Sequence, residues 1–133
     1  MSTVSQVKTA LAAKLATISG LRTYDRQPEV INPPFAWPSL TNIEYHGAMG
    51  GGLITQTYTI GVIVGRASER SSETLLNTYL SYGSGGVRYA LENDPTLGGT
   101  VEALIVESAG AISSIDGGDT TYLSVEFRVQ VYV

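Results

Sequence analysis

Apolar and polar residues alternate without interruption over positions 122 to 133. One parity holds Leu123, Val125, Phe127, Val129, Val131 and Val133, and the other holds Tyr122, Ser124, Glu126, Arg128, Gln130 and Tyr132. Because side chains alternate across a strand, the first set predicts a core face and the second a face toward water or a partner. At ~3.3 Å per residue the strand would be about 40 Å long, well above the usual strand length. Such a length favours a surface built to meet other chains.

Two helices follow from three- and four-residue spacing of apolar side chains. The first is predicted over about 3–19, with Gly20 just past its end, from the spacing of Val4, Val7, Leu11, Leu15 and Ile18. The second is predicted from an N-cap at Ser68 to about Ser81, with inward residues Leu75, Leu76, Tyr79 and Leu80. The glycine-rich stretch 83–86 should end it, and a short helix over 87–93 should stop before Asp94-Pro95.

The remaining patterned segments predict strands. Residues 21–25 form a short one, and residues 39–45 and 54–64 form a hairpin, the latter with Tyr58, Ile60, Val62 and Val64 on one face. The intervening segment 27–38 holds four prolines and is predicted to be irregular. A strand is predicted over 100–108, with Val101, Ala103 and Ile105 on one face, and a turn over 113–119.

The order of these elements defines the fold class. Strands and helices are segregated along the chain, which favours an α+β fold. We expect a mainly antiparallel sheet with a long hairpin, covered by the N-terminal and central helices. No linker or repeat divides the sequence, so residues 1–133 are predicted to form a single domain.

The amino-acid composition indicates protein–protein interfaces more than a catalytic site. Only 15% of the residues are charged, against about 25% in an average domain, and obligate interfaces are depleted of charge in this way. The net charge is −4 and the basic residues are scattered, which argues against a nucleic-acid footprint. Cysteine is absent, which excludes disulfides and thiolate metal sites. The lack of an apolar run of ~20 residues or a signal peptide predicts no membrane span and folding in a cytoplasm.

Candidate catalytic and metal sites all have simpler interpretations. His46 is the only histidine and has no orienting neighbour, so it is interpreted as a loop residue. Residues 116–119 are interpreted as a glycine turn in preference to a calcium-binding loop. Residues 83–86 are interpreted as a helix break in preference to a phosphate-binding loop. Phe35 and Trp37 could stack on a base or peptide, but anchoring an irregular loop on the core is favoured. We therefore predict no catalytic residue, cofactor or metal, and no enzymatic activity.

The tip of the first hairpin is unusually rich in glycine. It comprises His46, Gly47, Ala48, Met49, Gly50, Gly51, Gly52 and Leu53. A two-residue turn would close the hairpin at lower entropic cost. The longer tip is either simply tolerated, or it becomes ordered against a partner, and the residues alone leave both open.

The full set of elements resembles one family of viral proteins. The similar pieces are the first helix, then 24–28 (YDRQP), 37–40 (WPSL), 44–47 (EYHG), 57–64 (TYTIGVIV), the helix after Ser68, 97–101 (LGGTV) and 122–127 (YLSVEF). In this order they resemble the tail terminator proteins of long-tailed bacteriophages, also called tail-completion or minor tail proteins of the lambda U type. The resemblance spans nearly the whole chain. The proline segment 27–38 departs from some relatives.

The resemblance implies a homohexameric ring at the head-proximal end of the phage tail, assembled in the host cytoplasm. The ring would cap the tail tube protein, stop tube growth and present a surface to the head connector or head-completion protein. It also implies that the hairpin tip, His46 to Leu53, meets neighbouring subunits or the tube. DNA would pass through without specific binding.

The net charge of such a ring leads to an expectation about its lumen. Six copies of a chain of charge −4 carry −24, so we expect a lumen lined by acidic and uncharged polar groups. Glu102, Glu107 and Glu126 are the candidate lumen residues. Alternatively, these carboxylates keep the outer surface solvated.

Two other functions remain open from the sequence. One is a head-completion or connector-joining protein of the same viruses. The other is a small dimeric ligand-binding α+β domain, which predicts an enclosed apolar pocket with a few convergent polar groups. Solution mass separates a ring of six from a dimer.

Overall fold

Three helices pack against a five-stranded sheet in the computed structural model, which describes residues 4–18, 20–24, 34–44, 54–66, 68–83, 85–117 and 120–132. The elements are α1 (Val4–Leu15), β1 (Arg22–Thr23), β2 (Phe35–Glu44), β3 (Thr55–Arg66), α2 (Arg70–Leu80), α3 (Val87–Glu92), β4 (Ala103–Gly117) and β5 (Thr120–Tyr132). The predicted α+β class and the predicted order of elements are both confirmed.

The sheet has the strand order β1-β2-β3-β5-β4. Every pairing is antiparallel except that of the short β1 with β2. Two hairpins, β2–β3 and β4–β5, are joined where β3 pairs with β5, with Ile60 opposite Phe127. The strand β5 therefore lies between its own hairpin partner and a strand made much earlier in the sequence.

The alternating pattern of β5 sorts its side chains as predicted. Val125, Phe127, Val129 and Val131 are buried, and all four belong to the same hydrophobic core as Leu11, Leu15 and Tyr79. Leu75 and Leu123 are partly buried against that core. Burial of these aliphatic and aromatic side chains between sheet and helices is the main stabilising contribution to the fold.

The helix boundaries differ in detail from the predictions. Helix α1 ends at Leu15, and Gly20, with φ +81°, lies in a turn in which the Leu21 N–H donates to the Ile18 oxygen at 3.2 Å. The predicted N-cap at Ser68 is wrong, because the cap of α2 is Glu69, whose side chain makes no capping hydrogen bond. A turn in which the Glu69 N–H donates to the Arg66 oxygen carries the chain past Ser68 before the helix begins.

The prediction that the whole of 27–38 is irregular is wrong for residues 35–38, which begin β2. Pro38 fits in the strand because its nitrogen needs no partner there. The Ala36 oxygen accepts a hydrogen bond from the Tyr24 N–H, so Ala36 and Pro38 both direct their backbone groups away from β3. β1 ends at Thr23, and its pairing with β2 stops at Ala36, before Pro38 is reached. The proline therefore stands where a strand edge tolerates it.

Strand β4 is later and longer than predicted. It begins at Ala103, so Val101 precedes it and does not share its alternation. Ala103 and Ile105 share one face of β4, as predicted, but this face lies away from the core, because Ile105 is 49% exposed and Leu104 is buried. The predicted turn over 113–119 is wrong for 113–117, which pair with β5 until Gly117 meets Thr120. Pairing with the patterned β5 overrides the weak strand preference of these serines and glycines.

A loop with left-handed backbone connects α3 to β4. Leu97, Gly98 and Gly99 have φ values of 50°, 70° and 93°. Asp94 organises the loop: its carboxylate accepts hydrogen bonds from the Thr96 hydroxyl at 3.1 Å and the Gly98 N–H at 2.9 Å. The Lys14 ammonium lies 2.9 Å from the same carboxylate and ties the loop to α1.

Two tyrosine hydroxyls are enclosed in the interior. The Tyr58 hydroxyl donates to the Gln56 Oε1 at 2.6 Å, and burial raises the pKa of Tyr58 to about 12. Burial also raises the pKa of Tyr79, whose hydroxyl makes no hydrogen bond to any residue in the described part of the chain. Both phenols therefore remain neutral at physiological pH.

Candidate protein interface

The sheet has one face packed against the helices and one that carries mostly polar side chains, here called the open face. Strand β5 contributes Ser124, Glu126, Arg128 and Gln130 to it, alternating with the buried residues described above. Register places Thr59 of β3 and Ser108 of β4 on either side of Arg128. Hydroxyl and amide groups dominate this face, so it has polar contacts to offer a partner at little cost in charge desolvation.

Arg128 is the electrostatic centre of the open face. Its Nε lies 3.1 Å from the Glu107 Oε2, and both side chains are substantially exposed. A register shift in β4 between Val106 and Ser108 leaves Glu107 as an extra residue. Such bulges re-aim a side chain. Glu126 lies two residues before Arg128 on β5 and shares the face. An exposed pair of this kind contributes only about 0–1 kcal/mol, so its importance lies in local charge rather than stability.

These charges border a shallow polar groove of about 420 Å³ across the sheet. Its lining residues are Thr41, Asn42, Thr59, Ser108, Gly110, Glu126 and Arg128. The groove is open and is lined by hydroxyl, amide and charged side chains, which differs from the enclosed apolar pocket expected of a small-molecule site.

The three candidate lumen carboxylates do not lie together. Glu107 pairs with Arg128, and Glu126 lies on the same face of the sheet beside the same groove. Glu102 is exposed just before β4, where its backbone N–H donates to the Tyr132 oxygen at 2.8 Å. The sequence placed all three on strands, whereas the structure places only Glu107 and Glu126 there. Whether any of them lines a lumen stays a prediction.

An aromatic cluster occupies the corner of the open face near β1. The rings of Phe35 and Trp37 stack with centroids 5.5 Å apart, and Tyr24 meets Phe35 edge-on at 6.0 Å. Phe35 is buried and Trp37 is half-buried. Trp37 lies over Gly61 of β3, where a Cβ atom would come within 2.8 Å of the indole. The prediction that this pair anchors an irregular loop on the core is wrong, because both residues belong to β2 and lie on the open face, outside the hydrophobic cluster under the helices.

The predicted interface at the hairpin tip, His46 to Leu53, lies outside the described residues. The arms that carry it are described as far as Glu44 opposite Thr55. The Thr41 hydroxyl also donates to the Thr57 oxygen at 3.0 Å, across the register shift in β2. The proposed role of the tip stays a prediction.

The outer edge of β4, the side away from β5, carries a second set of contacts that the sequence did not predict. The Val106 N–H donates to the Glu92 Oε2 at 3.1 Å, and the Arg88 Nε donates to the Glu92 Oε1 at 2.9 Å. Helix α3 therefore covers the edge at Val106. The spacing of Arg88 and Glu92 by four residues was a visible helical signal. The contact between Glu92 and Val106 could not be predicted from the sequence, because it depends on tertiary packing.

An exposed aromatic residue from the connection between α2 and α3 packs beside the same helix. Tyr82 is 62% exposed, meets Tyr89 edge-on with centroids 5.7 Å apart, and has the Arg88 guanidinium 4.9 Å from its ring centre. Arg88 is thereby held between Tyr82 and Glu92. Tyrosine and arginine held in this way are the residue types that dominate binding energy at protein interfaces.

Within the described ranges, no group of three or more His, Cys, Asp or Glu side chains is placed to hold a metal ion. A cavity of about 630 Å³ opens beside the start of α2, and its charged lining residues are Arg66 and Glu69. None of the helices that the structure describes is long and apolar enough to cross a membrane. The features with the clearest organisation are thus the open face and the outer edge of β4.

Comparison with known proteins does not assign the chain to a family. No protein-family model matches the sequence, and no curated protein matches it.

Proposed function

We propose that this protein is a structural subunit of a homohexameric ring that caps the tail tube of a long-tailed bacteriophage. The ring occupies the end of the tube, blocks addition of the next tube subunit and presents a surface to the head connector or head-completion protein. It acts in the virion at the head-proximal end of the tail, after assembly in the host cytoplasm. The protein acts by binding over a large surface area and catalyses no reaction.

One observation carries the proposal: a one-sided sheet of two long hairpins leaves a broad open face of mostly polar side chains, whose central Arg128 is paired with Glu107. Strands β4 and β5 span 15 and 13 residues, against about 5–6 in a typical domain. The helices use only the other face. A stable interface of about 1,200–2,000 Å² needs a surface of this breadth with few unpaired charges at its centre.

Two further features support an assembly role. The order of elements that underlies the resemblance to tail terminators is the order found in the fold. The groove beside Arg128 is shallow and polar, which favours contact with a protein surface over enclosure of a small ligand. The dimeric ligand-binding alternative has no such support.

The test combines mass with activity. Light scattering and negative-stain images of the purified chain should give a ring of six. Added to polymerising tail-tube subunits, the protein should shorten the tubes and stop their growth. Arg128→Ala, which removes the centre of the open face, should reduce capping, while Lys8→Ala on α1 serves as a surface-charge control. A monodisperse monomer or dimer that leaves tube length unchanged contradicts the proposal.

A further inference from the structure

We propose that the cavity beside the start of α2 is a binding site for a carboxylate group, held between the N-terminus of the helix and the hydroxyl of Ser72. The cavity has a volume of about 630 Å³ and opens where α2 meets the last residues of β3. This site lies outside the proposed function, because the cavity shares no lining residue with the groove of the open face.

The first turn of α2 offers backbone donors that the fold leaves unused. The first N–H groups of a helix have no partner within it, and the side chain of the cap residue Glu69 makes no hydrogen bond to them. Among the described residues, the N–H groups of Arg70 and Ser71 donate to no backbone oxygen outside the helix. Ser71 lines the cavity. Free donors and the helix dipole together favour a negative group at this end of α2.

The hydroxyl of Ser72 is a second, independent indication of a ligand. Ser72 is only 4% exposed and lines the cavity, and its hydroxyl makes no hydrogen bond to any residue in the described ranges. Three hydroxyls further along α2, those of Thr74, Thr78 and Ser81, donate to the carbonyl oxygen one turn earlier. Ser72 lies in the first turn, where the helix supplies no such oxygen. A ligand oxygen in the cavity would satisfy this enclosed donor.

Gly65 keeps the space beside this hydroxyl open. A Cβ atom at position 65 would collide with the Ser72 Oγ. The backbone angle does not require glycine there, because Gly65 is not among the residues with a left-handed φ. Any larger residue would therefore displace the hydroxyl from this wall of the cavity. Gly65 lines the cavity together with Ser72, so the close approach of the two residues shapes the site itself.

The charges of the lining favour a carboxylate over a phosphate. Arg66 and Glu69 carry opposite charges, so the side chains leave the cavity close to neutral and the helix N-terminus sets the sign of the potential. A modest positive potential suits one negative charge better than the charge of about −1.5 to −2 on a phosphate ester. The guanidinium of Arg66 can also bind both oxygens of a carboxylate. A free carboxylic acid and an acidic side chain of a protein both present this group.

Four probes test the ligand class by titration of the full chain at neutral pH, followed through amide chemical shifts. The probes are acetate, inorganic phosphate, the peptide acetyl-Ala-Glu-Ala-amide and its glutamine counterpart. Acetate and the glutamate peptide should shift the Arg70 and Ser71 amides saturably. The glutamine peptide should bind at least about fivefold more weakly, because it lacks the charge. Tighter binding of the glutamate peptide than of acetate identifies a protein side chain as the source, and the reverse order identifies a free acid.

Variants of the lining separate this site from a general effect of charge. Ser72→Ala and Arg66→Gln should each weaken carboxylate binding by about fivefold or more, because each removes one donor group. Lys8→Gln on α1 changes the net charge as Arg66→Gln does but lies outside the cavity, so it should bind like the parent chain. Glu69→Gln removes a repelling carboxylate and should strengthen binding.

Three results would overturn the inference. They are the absence of saturable shifts in the parent chain, unchanged affinity in both Ser72→Ala and Arg66→Gln, and tighter binding of phosphate than of either carboxylate probe. The parent titration does not depend on any variant folding. Each of these results leaves the ring function intact, because ring formation and tube length are measured without the probes.

Discussion

The indole of Trp37 lies directly on Gly61 of the neighbouring strand, and a Cβ atom at position 61 would stand 2.8 Å from the Trp37 Cζ2. Glycine is therefore required there by close approach of a side chain and not by a special backbone angle. The contact fixes the stack of Trp37 on Phe35 against the open face of the sheet.

Gly61→Ala should lower the free energy of unfolding by about 1–3 kcal/mol, because the methyl group overpacks the indole. In a Trp37→Phe background, which removes the outer indole ring, the same change should cost distinctly less. Urea unfolding of the four chains of this cycle gives the coupling between the two positions. Equal costs in both backgrounds would show that Trp37 does not limit the space at position 61.

Phe127→Ala should destabilise the fold by ~3–5 kcal/mol, because it leaves a cavity in the core between β5 and the helices. Arg128→Ala, the next residue on the same strand but on the open face, provides the comparison and should cost less than about 1 kcal/mol. Denaturant unfolding measures both values. A loss below about 1 kcal/mol for Phe127→Ala would mean that the core face of β5 has been misidentified.

Tyr79→Phe should raise the free energy of unfolding by about 1 kcal/mol or more, because it removes a buried hydroxyl that has no hydrogen-bond partner among the described residues. Tyr58→Phe is the matched change with the opposite expectation, since it leaves the buried Gln56 oxygen without its donor. Thermal unfolding of the pair tests the difference. Destabilisation by both changes would indicate that the Tyr79 hydroxyl is satisfied.

Acid should weaken the link between α1 and the loop before β4. The Lys14 ammonium, followed by the hydrogen bonds of Thr96 and Gly98, holds the pKa of Asp94 below its ordinary value. A lowered folded-state pKa stabilises the protein above the unfolded pKa, near about 4, and this contribution is lost as pH falls through the folded value. The stability difference between the parent chain and Asp94→Asn should therefore shrink below about pH 4. Lys14→Gln should reduce the difference at neutral pH, and a pH-independent difference would contradict the assignment.

The assembled ring should not bind duplex DNA measurably at about 0.15 M salt, because six copies of a chain of charge −4 carry −24 and offer few free cations to phosphates. Fluorescence anisotropy with a labelled duplex measures this directly. Changing Glu107 and Glu126 to Gln should increase DNA affinity at low salt only if these residues line the lumen. Tight binding by the parent ring would contradict the expected acidic lumen.

The parts of the fold that could be predicted are those in which one strand or helix has a strong periodicity of its own. The residues of β5 alternate so regularly that their burial followed from parity alone. Residues 113–117 carried no such signal, and they form a strand because β5 pairs with them. Pro38 led to a prediction of irregular chain. Whether a strand can hold a proline at that position depends on where the neighbouring strand ends, and the sequence does not show this.

The candidate interface was less predictable for the same reason. Glu107 reaches Arg128 only because a bulge shifts the register of β4, and Glu92 reaches Val106 only because α3 packs beside that strand. Single positions such as these depend on contacts between segments far apart in sequence. The low overall charge and the excess strand length were visible at once, and they indicated an interface without indicating its place.

The position of β5 between β3 and β4 also governs when the protein can become active during synthesis. As β2 and β3 leave the ribosome they can pair, but the neighbour that covers Ile60 and Val62 is separated from them by the whole of α2, α3 and β4. These long-range pairings close late. A nascent chain thus lacks both the completed open face and the supported edge of β4. In the proposed ring, this order of folding would admit only finished subunits, because an incomplete chain lacks the surfaces of the sheet that β5 completes.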